Sequence, residues 1–246
     1  MGSHNIQGNI SSFAACVRAW QRRQFHVIAL QEVHALAKEL RSSLKLCAER
    51  HGFHLLWSVC KNNARSAGVA FLVSVDLTDN MPTVAPRLVR DSSGRVLCLH
   101  LNWAGRSLWF VNAYVPCTPR DAKTFLRDVL APHLVHPPGR NTQTVMMGDW
   151  NFVPQPALDR KRVDPNNHHP TASDSVCPAV FQLAAAPGMI DTFRAKHPAR
   201  RACTHAGPHG GARMDRVYVH ADLLPFVCEA GIMSVPEYFR DRKSVV

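Results

Sequence analysis

Thr144-Val145-Met146-Met147-Gly148-Asp149-Trp150-Asn151 is the stretch on which the reading of this chain turns. An apolar run of the kind that fills a buried strand stops at a glycine, then delivers an acid and a carboxamide two residues apart. Side chains alternate along extended backbone, so residues two apart face the same way and can serve one reacting centre. An aspartate beside an asparagine suits phosphate-ester hydrolysis. The carboxylate orients or deprotonates a water, and the amide NH₂ donates to a non-bridging oxygen without adding charge. Gly-Asp-x-Asn is also ordinary turn chemistry, so its meaning rests on its company.

Four more polar clusters stand at strand ends. Asn5-Ile6-Gln7-Gly8 places two amides before a glycine and a helix. The apolar run from His26 to Leu30 ends in Gln31-Glu32, and the run from Leu108 to Ala113 ends in Tyr114-Val115-Pro116, with Asn112 two residues before the tyrosine. Arg213-Met214-Asp215-Arg216 opens Val217-Tyr218-Val219 and sets a carboxylate at the head of a strand. Singly, each reads as a turn, a solvated pair or a half-buried edge residue. Together they are acids and amides at strand termini, which is where a sheet scaffold builds a polar pocket.

Strand and helix patterns alternate along the chain, with no internal repeat and no long linker. Ser11 to Gln24 carries Phe13, Cys16, Val17 and Trp20 at helical spacing, and Ala35 to Glu49 does so with Leu36, Leu40, Leu44 and Leu46-Cys47. Val96 to Trp103 and Ser107 to Tyr114 flank Ala104-Gly105-Arg106 as a β-hairpin. Thr118-Pro119-Arg120-Asp121 resembles a capping box with proline at the first helical position, opening a helix to about Leu130. Pro154 to Asp174 reads as a basic surface loop, and Thr204 to Gly211 as a second, flexible loop. This order predicts a sheet-containing α/β sandwich.

The 246 residues are enough for one sizeable core, and the net charge of +11 with 14 histidines besides suits a polyanionic partner. Eight cysteines are scattered with no C-x-x-C and no zinc spacing; several sit inside apolar patterns as small core residues, and reduced thiols in an intracellular compartment are expected. No apolar run reaches membrane-spanning length and no signal peptide is visible. Met1-Gly2-Ser3-His4 reads as a cloning scar standing in for the first strand, leaving residues 5–246 as a single domain.

The ordered set N-x-Q-G, Q-E, N-x-Y-x-P, G-D-x-N and R-x-D-R resembles the exonuclease–endonuclease–phosphatase superfamily. Within it, the likeness is to the apurinic-endonuclease-like nicking domains of non-LTR (LINE-type) retrotransposons. Gly68-Val69-Ala70, Leu158-Asp159-Arg160, Ile190-Asp191-Thr192-Phe193-Arg194 with His197-Pro198, and Cys203-Thr204-His205 favour that branch. The resemblance runs from Asn5 to about Val246 and implies a four-layer α/β/β/α sandwich with Mg²⁺ (or Mn²⁺) as cofactor. It implies Glu32 as principal metal ligand, with Asn5 beside it and Asp241 as a further ligand. It makes Asp149 the group that activates water, Asn151 the phosphate holder and Tyr114 a donor to phosphate or leaving group. Gln7, Asn112 and Thr204 are implied on the substrate side, Thr204 at the DNA backbone. The loop near residues 204–211 is implied as a DNA-reading element, with an idle loop as the alternative.

Asp215 has a separate task in that family: it orients a histidine from a Ser-Asp-His near the domain's end. Here the matching end is Arg240-Asp241-Arg242, with Arg242 at the histidine position. Arginine cannot cycle a proton near neutral pH, though it can contact phosphate in a bidentate way. Arg242 is a natural change in a divergent element, an inactivating substitution, or a misregister of a short motif. The resemblance implies a domain, monomeric in isolation and nuclear, that nicks double-stranded DNA to leave a primer for the reverse transcriptase of the same polyprotein. An abasic-site repair endonuclease, another phosphoesterase of the superfamily and an inactive DNA-binding module are the alternatives.

Overall fold

The computed structural model describes residues 1–6, 13–34, 38–60, 67–79, 87–103, 105–135, 137, 139, 141–162, 171–184, 188–207, 210–233 and 244–245. Strands β1 (Gly2–Asn5), β2 (Val27–Gln31), β3 (Phe53–Ser58) and β4 (Val69–Ser74) form one side of a sandwich. Strands β5 (Arg87–Arg90), β6 (Val96–Trp103), β7 (Arg106–Tyr114) and β8 (Gln143–Asp149) belong to the other. After β9 (Arg160–Arg162) come β10 (Met189–Asp191), β11 (His205–Gly207), β12 (Gly210–Ala212), β13 (Asp215–His220), β14 (Ile232–Met233) and β15 (Ser244–Val245). The first sheet runs β14-β15-β1-β2-β4-β3, the second β10-β13-β8-β7-β6-β5, and β11-β12-β9 make a small third sheet.

The central strands are apolar on both faces because both faces are covered. In β2 and β4, Val27, Ala29, Val69, Phe71 and Val73 point at Leu99, Phe110, Val145, Met147, Val217 and Val219 of the second sheet. Their alternates Ile28, Leu30, Ala70 and Leu72 point outward onto Phe13, Cys16, Val17 and Trp20 of helix α1 (Phe13–Arg22) and Leu44 of α2 (Lys38–Arg50). On the far side, Val96, Cys98, Trp109, Val111, Met146 and Tyr218 pack against Phe125, Leu126, Leu130, Cys177 and Phe181 of the covering helices. Helix, sheet, sheet, helix: this is the four-layer α/β/β/α sandwich.

Four expectations need correction. The glycine does not stop the strand, since β8 continues through Gly148 to Asp149. Gly148 is required for another reason: a Cβ there would collide with the carbonyl of Ala113 on β7. Gly148→Ala is therefore expected to destabilise by about 1–3 kcal/mol through overpacking, measured by denaturant unfolding; a loss under about 0.5 kcal/mol would show that the strands separate freely.

The helix capped by Thr118, whose Oγ1 accepts from the backbone N–H of Asp121, does not end at Leu130. It runs as α4 (Pro119–Thr124), a π-helical turn (Phe125–Leu130) and α5 (Ala131–Val135), because Leu134 is buried and the His133 carbonyl accepts from Trp109 Nε1 at 2.8 Å. The loop expected from Pro154 to Asp174 holds α6 (Pro156–Asp159) and β9, and Asp174 already lies in α7 (Ala172–Ala184). The loop expected at 204–211 is the β11–β12 hairpin, zipped onto β9 with Gly210↔Arg162 and Ala212↔Arg160 in register.

Topology places the strand ends. Parallel pairing of β1 with β2 and of β7 with β8 brings Asn5 beside Gln31 and Tyr114 beside Asp149. Antiparallel β13 begins where β8 ends, with Asp215↔Asp149 in register. Carboxyl ends of parallel strands gathered at one edge of a sheet form the usual crevice for a ligand.

Candidate active site

Two acids from opposite sheets meet at one amide. Asn5 Nδ2 donates to Glu32 Oε1 at 2.6 Å and to Asp149 Oδ2 at 2.8 Å. Asn5 and Asp149 are buried, while Glu32 is half-buried. Glu32 follows β2 in the left-handed region (φ 55°), which costs a non-glycine residue about 1–3 kcal/mol. The next residues hold it there: the N–H of Val33 donates to the carbonyl of Gly68 at 3.0 Å and that of His34 to Ala67 at 3.1 Å. A Cβ at Gly68 would lie 2.6 Å from the His34 nitrogen, so the Gly68-Val69-Ala70 signature reflects a close backbone approach beneath the Glu32 turn.

Tyr114 closes the site from the end of β7, with its hydroxyl hydrogen-bonded to Glu32. Burial first, then the negative charges of Glu32 and Asp149, hold its phenol above the ordinary range, so it stays protonated and can donate. The Arg95 guanidinium stacks 4.9 Å from the Tyr114 ring centroid and donates from Nη1 to the Tyr114 carbonyl at 3.2 Å. Sequence reasoning missed Arg95, which nothing local marks.

Asn151 is not aligned with Asp149 as alternation predicts. The chain leaves the strand after Asp149, and Asn151 is left-handed (φ 51°). Its backbone N–H donates to Asp149 Oδ1 at 3.1 Å and its Nδ2 to the Val115 carbonyl at 2.7 Å. Asn151 thus shapes the turn around the acid. Asn112 and Thr204, expected on the substrate side, bond to backbone groups here. Asn112 is fully buried, accepting from Gln31 Nε2 at 2.8 Å and donating to the carbonyls of Leu30 and Ala70 at 3.0 and 2.7 Å. Thr204 is 1% exposed, and its Oγ1 accepts from the N–H groups of Met214 and Asp215, both at 3.0 Å. Thr204 thereby fixes the backbone that carries Asp215, itself buried beside Asp149. Gln7, Asp241 and Arg242 lie outside the described residues.

The smaller signatures converge on a buried ion cluster behind the site. Arg213 Nε donates to Asp159 Oδ1 at 2.7 Å and its Nη2 to Asp191 Oδ2 at 2.6 Å, while Arg194 Nη2 reaches Asp159 Oδ1 at 2.5 Å. Burial opposes the charge on Arg213, but Asp191 and Asp159 outweigh it and raise its pKa. A second pair, Arg160 Nε to Asp174 Oδ2 at 2.5 Å, ties β9 to α7. Each signature is visible in the sequence; their pairing across 54 positions, from Asp159 to Arg213, is not.

Among the described residues no group of three or more His, Cys, Asp or Glu side chains could hold a metal. Glu32, with the Asn5 amide beside it, still fits a hard divalent ion, which binds through one or two carboxylates and keeps several waters. No helix among the described residues is long and apolar enough to cross a membrane.

Residues 2–237 match the family described as Endonuclease/Exonuclease/phosphatase. A curated relative, the "Transposon TX1 uncharacterized 149 kDa protein" of Xenopus laevis, is 25% identical over 230 residues, covering 90% of this chain and 16% of that protein. An AP endonuclease from Archaeoglobus fulgidus has the same fold (TM-score 0.76, 18% identity, 99% of this chain and 96% of that one). So does the 3′ phosphatase NExo from Neisseria bound to a product DNA hairpin (TM-score 0.75, 17% identity, 99% and 96%). The catalytic domain of Xenopus laevis APE2 is similar too (TM-score 0.72, 17% identity, 100% and 90%).

Proposed function

The chain belongs to the Endonuclease/Exonuclease/phosphatase family, and from that premise we propose that it is a divalent-metal-dependent DNA endonuclease domain of a retrotransposon. It hydrolyses one phosphodiester of duplex target DNA and leaves a 3′-hydroxyl from which the reverse transcriptase of the same polyprotein primes. The observation that carries this reading is the bridge from Glu32 through Asn5 to Asp149, an acid pair built from both sheets. The transposon relative supports the retroelement setting, the DNA-bound structural neighbour supports the substrate, and the +11 charge favours a polyanion over a small phosphoester. Work on target DNA would place the domain in the nucleus.

Glu32, the Asn5 amide oxygen and Asp241 would hold Mg²⁺, which supplies Lewis-acid stabilisation of charge on the scissile phosphate. Asp149 orients the attacking water and takes its proton, held in place by Asn5 and the Asn151 N–H. The protonated Tyr114 donates to a phosphate oxygen as charge builds there. Asp215 would orient the residue at position 242. Arginine there contributes charge but no proton transfer, so this chain is weak or inactive in nicking while it keeps DNA binding.

Supercoiled plasmid nicked by this chain and by Arg242→His, with Mg²⁺ and with EDTA, tests the reading. The histidine form is expected to nick about 10²–10⁴-fold faster, and EDTA to abolish the activity. Equal rates from both would remove position 242 from the chemistry, and no nicking from either would favour a DNA-binding module. Comparing intact with abasic duplex separates the repair reading.

A further inference from the structure

We propose that Arg216 is a positioning residue for Asp149, a buried cation that braces the Asp149–Phe152 turn from inside the core; this rests on the endonuclease reading of the site. Arg216 lies in β13 and is fully buried. Its Nη2 donates to the Phe152 carbonyl at 2.5 Å, and its own carbonyl accepts from Trp150 Nε1 at 3.4 Å. The guanidinium sits among aromatic faces, 4.8 Å from the Phe152 ring centroid and 5.8 Å from those of Trp150 and Tyr218. Both residues flanking Asn151 are therefore tied to this one residue, Phe152 through its guanidinium and Trp150 through its main-chain carbonyl.

The turn needs such a brace. On its outer side it is held by Asn151 Nδ2 to the Val115 carbonyl, and by the Val153 N–H to Asp174 Oδ1 at 2.8 Å. The Trp150 N–H donates to the Met214 carbonyl at 3.0 Å. The left-handed Asn151 turns the next peptide inward, and Arg216 supplies the donor that the Phe152 carbonyl finds there. Asp149 depends on this geometry, because the Asn151 N–H that holds its Oδ1 belongs to the same turn.

Arg216 is a poor choice for stability alone. Its Nε and Nη1 have no hydrogen-bond partner among the described residues, and no carboxylate pairs with it there. The nearby acids Asp159 and Asp191 hold Arg213. Even a buried ion pair is often replaced by apolar residues at no loss of stability, and Arg216 lacks a carboxylate partner among the described residues. Retention of a guanidinium here is explained by what it does to the turn, where a rigid planar donor meets a carbonyl and stacks on rings.

The test compares Arg216→Met and Arg216→Lys in the Arg242→His chain. Arg216→Met is expected to melt within about 3 °C of its parent, to keep KM within about twofold and to lose about 10²-fold in kcat, the scale set by misplacing a reacting group by an ångström. Arg216→Lys keeps one donor and is expected to recover about tenfold of that loss. Unchanged kcat in the Met form, or melting points and kcat that fall in parallel in both variants, would make Arg216 an ordinary core residue and overturn the proposal. Absence of nicking by the parent counts against the endonuclease reading instead. Amide exchange then decides on Arg216: the Asn151 and Val153 amides should exchange at least about tenfold faster in the Met form while those of Val145–Met147 hold, and equal protection at both places rejects the brace.

Discussion

Replacing Asp149 by asparagine in the Arg242→His chain is expected to lower nicking by about 10²–10⁴-fold while the protein folds as stably as before. Asp149 accepts from Asn5 Nδ2 and from the Asn151 N–H. An asparagine has one acceptor oxygen, so one of those donors must face an NH₂, and the amide cannot take a proton from water. The lost hydrogen bond costs about 0.5–1.5 kcal/mol. Against it stands the removal of one of two carboxylates that crowd the same Asn5 nitrogen, a like-charge pair relieved by neutralising either member. The melting point should therefore stay put. DNA affinity should hold or rise, because a negative charge leaves the site that receives a polyanion. Initial rates on plasmid, a thermal melt and anisotropy on labelled duplex measure all three. Activity within about threefold of the parent would assign the base elsewhere, and a collapsed melting point would make Asp149 a residue of the fold.

Arg213→Ala should act in the opposite way, costing about 3–5 kcal/mol of stability. Arg213 is 1% exposed and joins Asp159 of α6 to Asp191 of β10, with Arg194 on the same Asp159. Removing it leaves the half-buried Asp191 without this cation and the buried Asp159 with only one of two. Arg194 also donates to the carbonyls of His197, Pro198 and Arg200, so the loss spreads to the segment that leads into Thr204. Arg213→Lys keeps the charge but not the fork and should lose about half as much. Urea unfolding of the three proteins checks the series, and a loss below about 1 kcal/mol for alanine would mean that the acids relax into solvent.

Legibility followed the range of the interactions. Asp149, Glu32 and Tyr114 are each marked by a strand that ends and Asp215 by one that begins, so their gathering at one edge is readable in advance. The three-stranded β11-β12-β9 sheet is not, since Arg-Lys-Arg, His-Ala-Gly and Gly-Gly-Ala carry no alternation of apolar and polar positions. The backbone partners of Asn112 and Thr204 were not legible, because polarity at a strand end looks alike whether it faces a ligand or satisfies a neighbouring backbone. Arg216 was legible as part of a motif, but its contact with Phe152 spans 64 positions.

Two apolar sheets laid face to face are set in their offset by how their side chains interlock, and a polar joint sets it more sharply still. Here the joint has a dowel: Gln31 from one sheet meets Asn112 from the other, and Asn112 reaches on to the carbonyls of two strands, β2 and β4. A half-residue slip would break every one of these bonds in a place water cannot reach. The alignment of two acids on one amide nitrogen is thus inherited from a joint below it, made by side chains that touch no substrate.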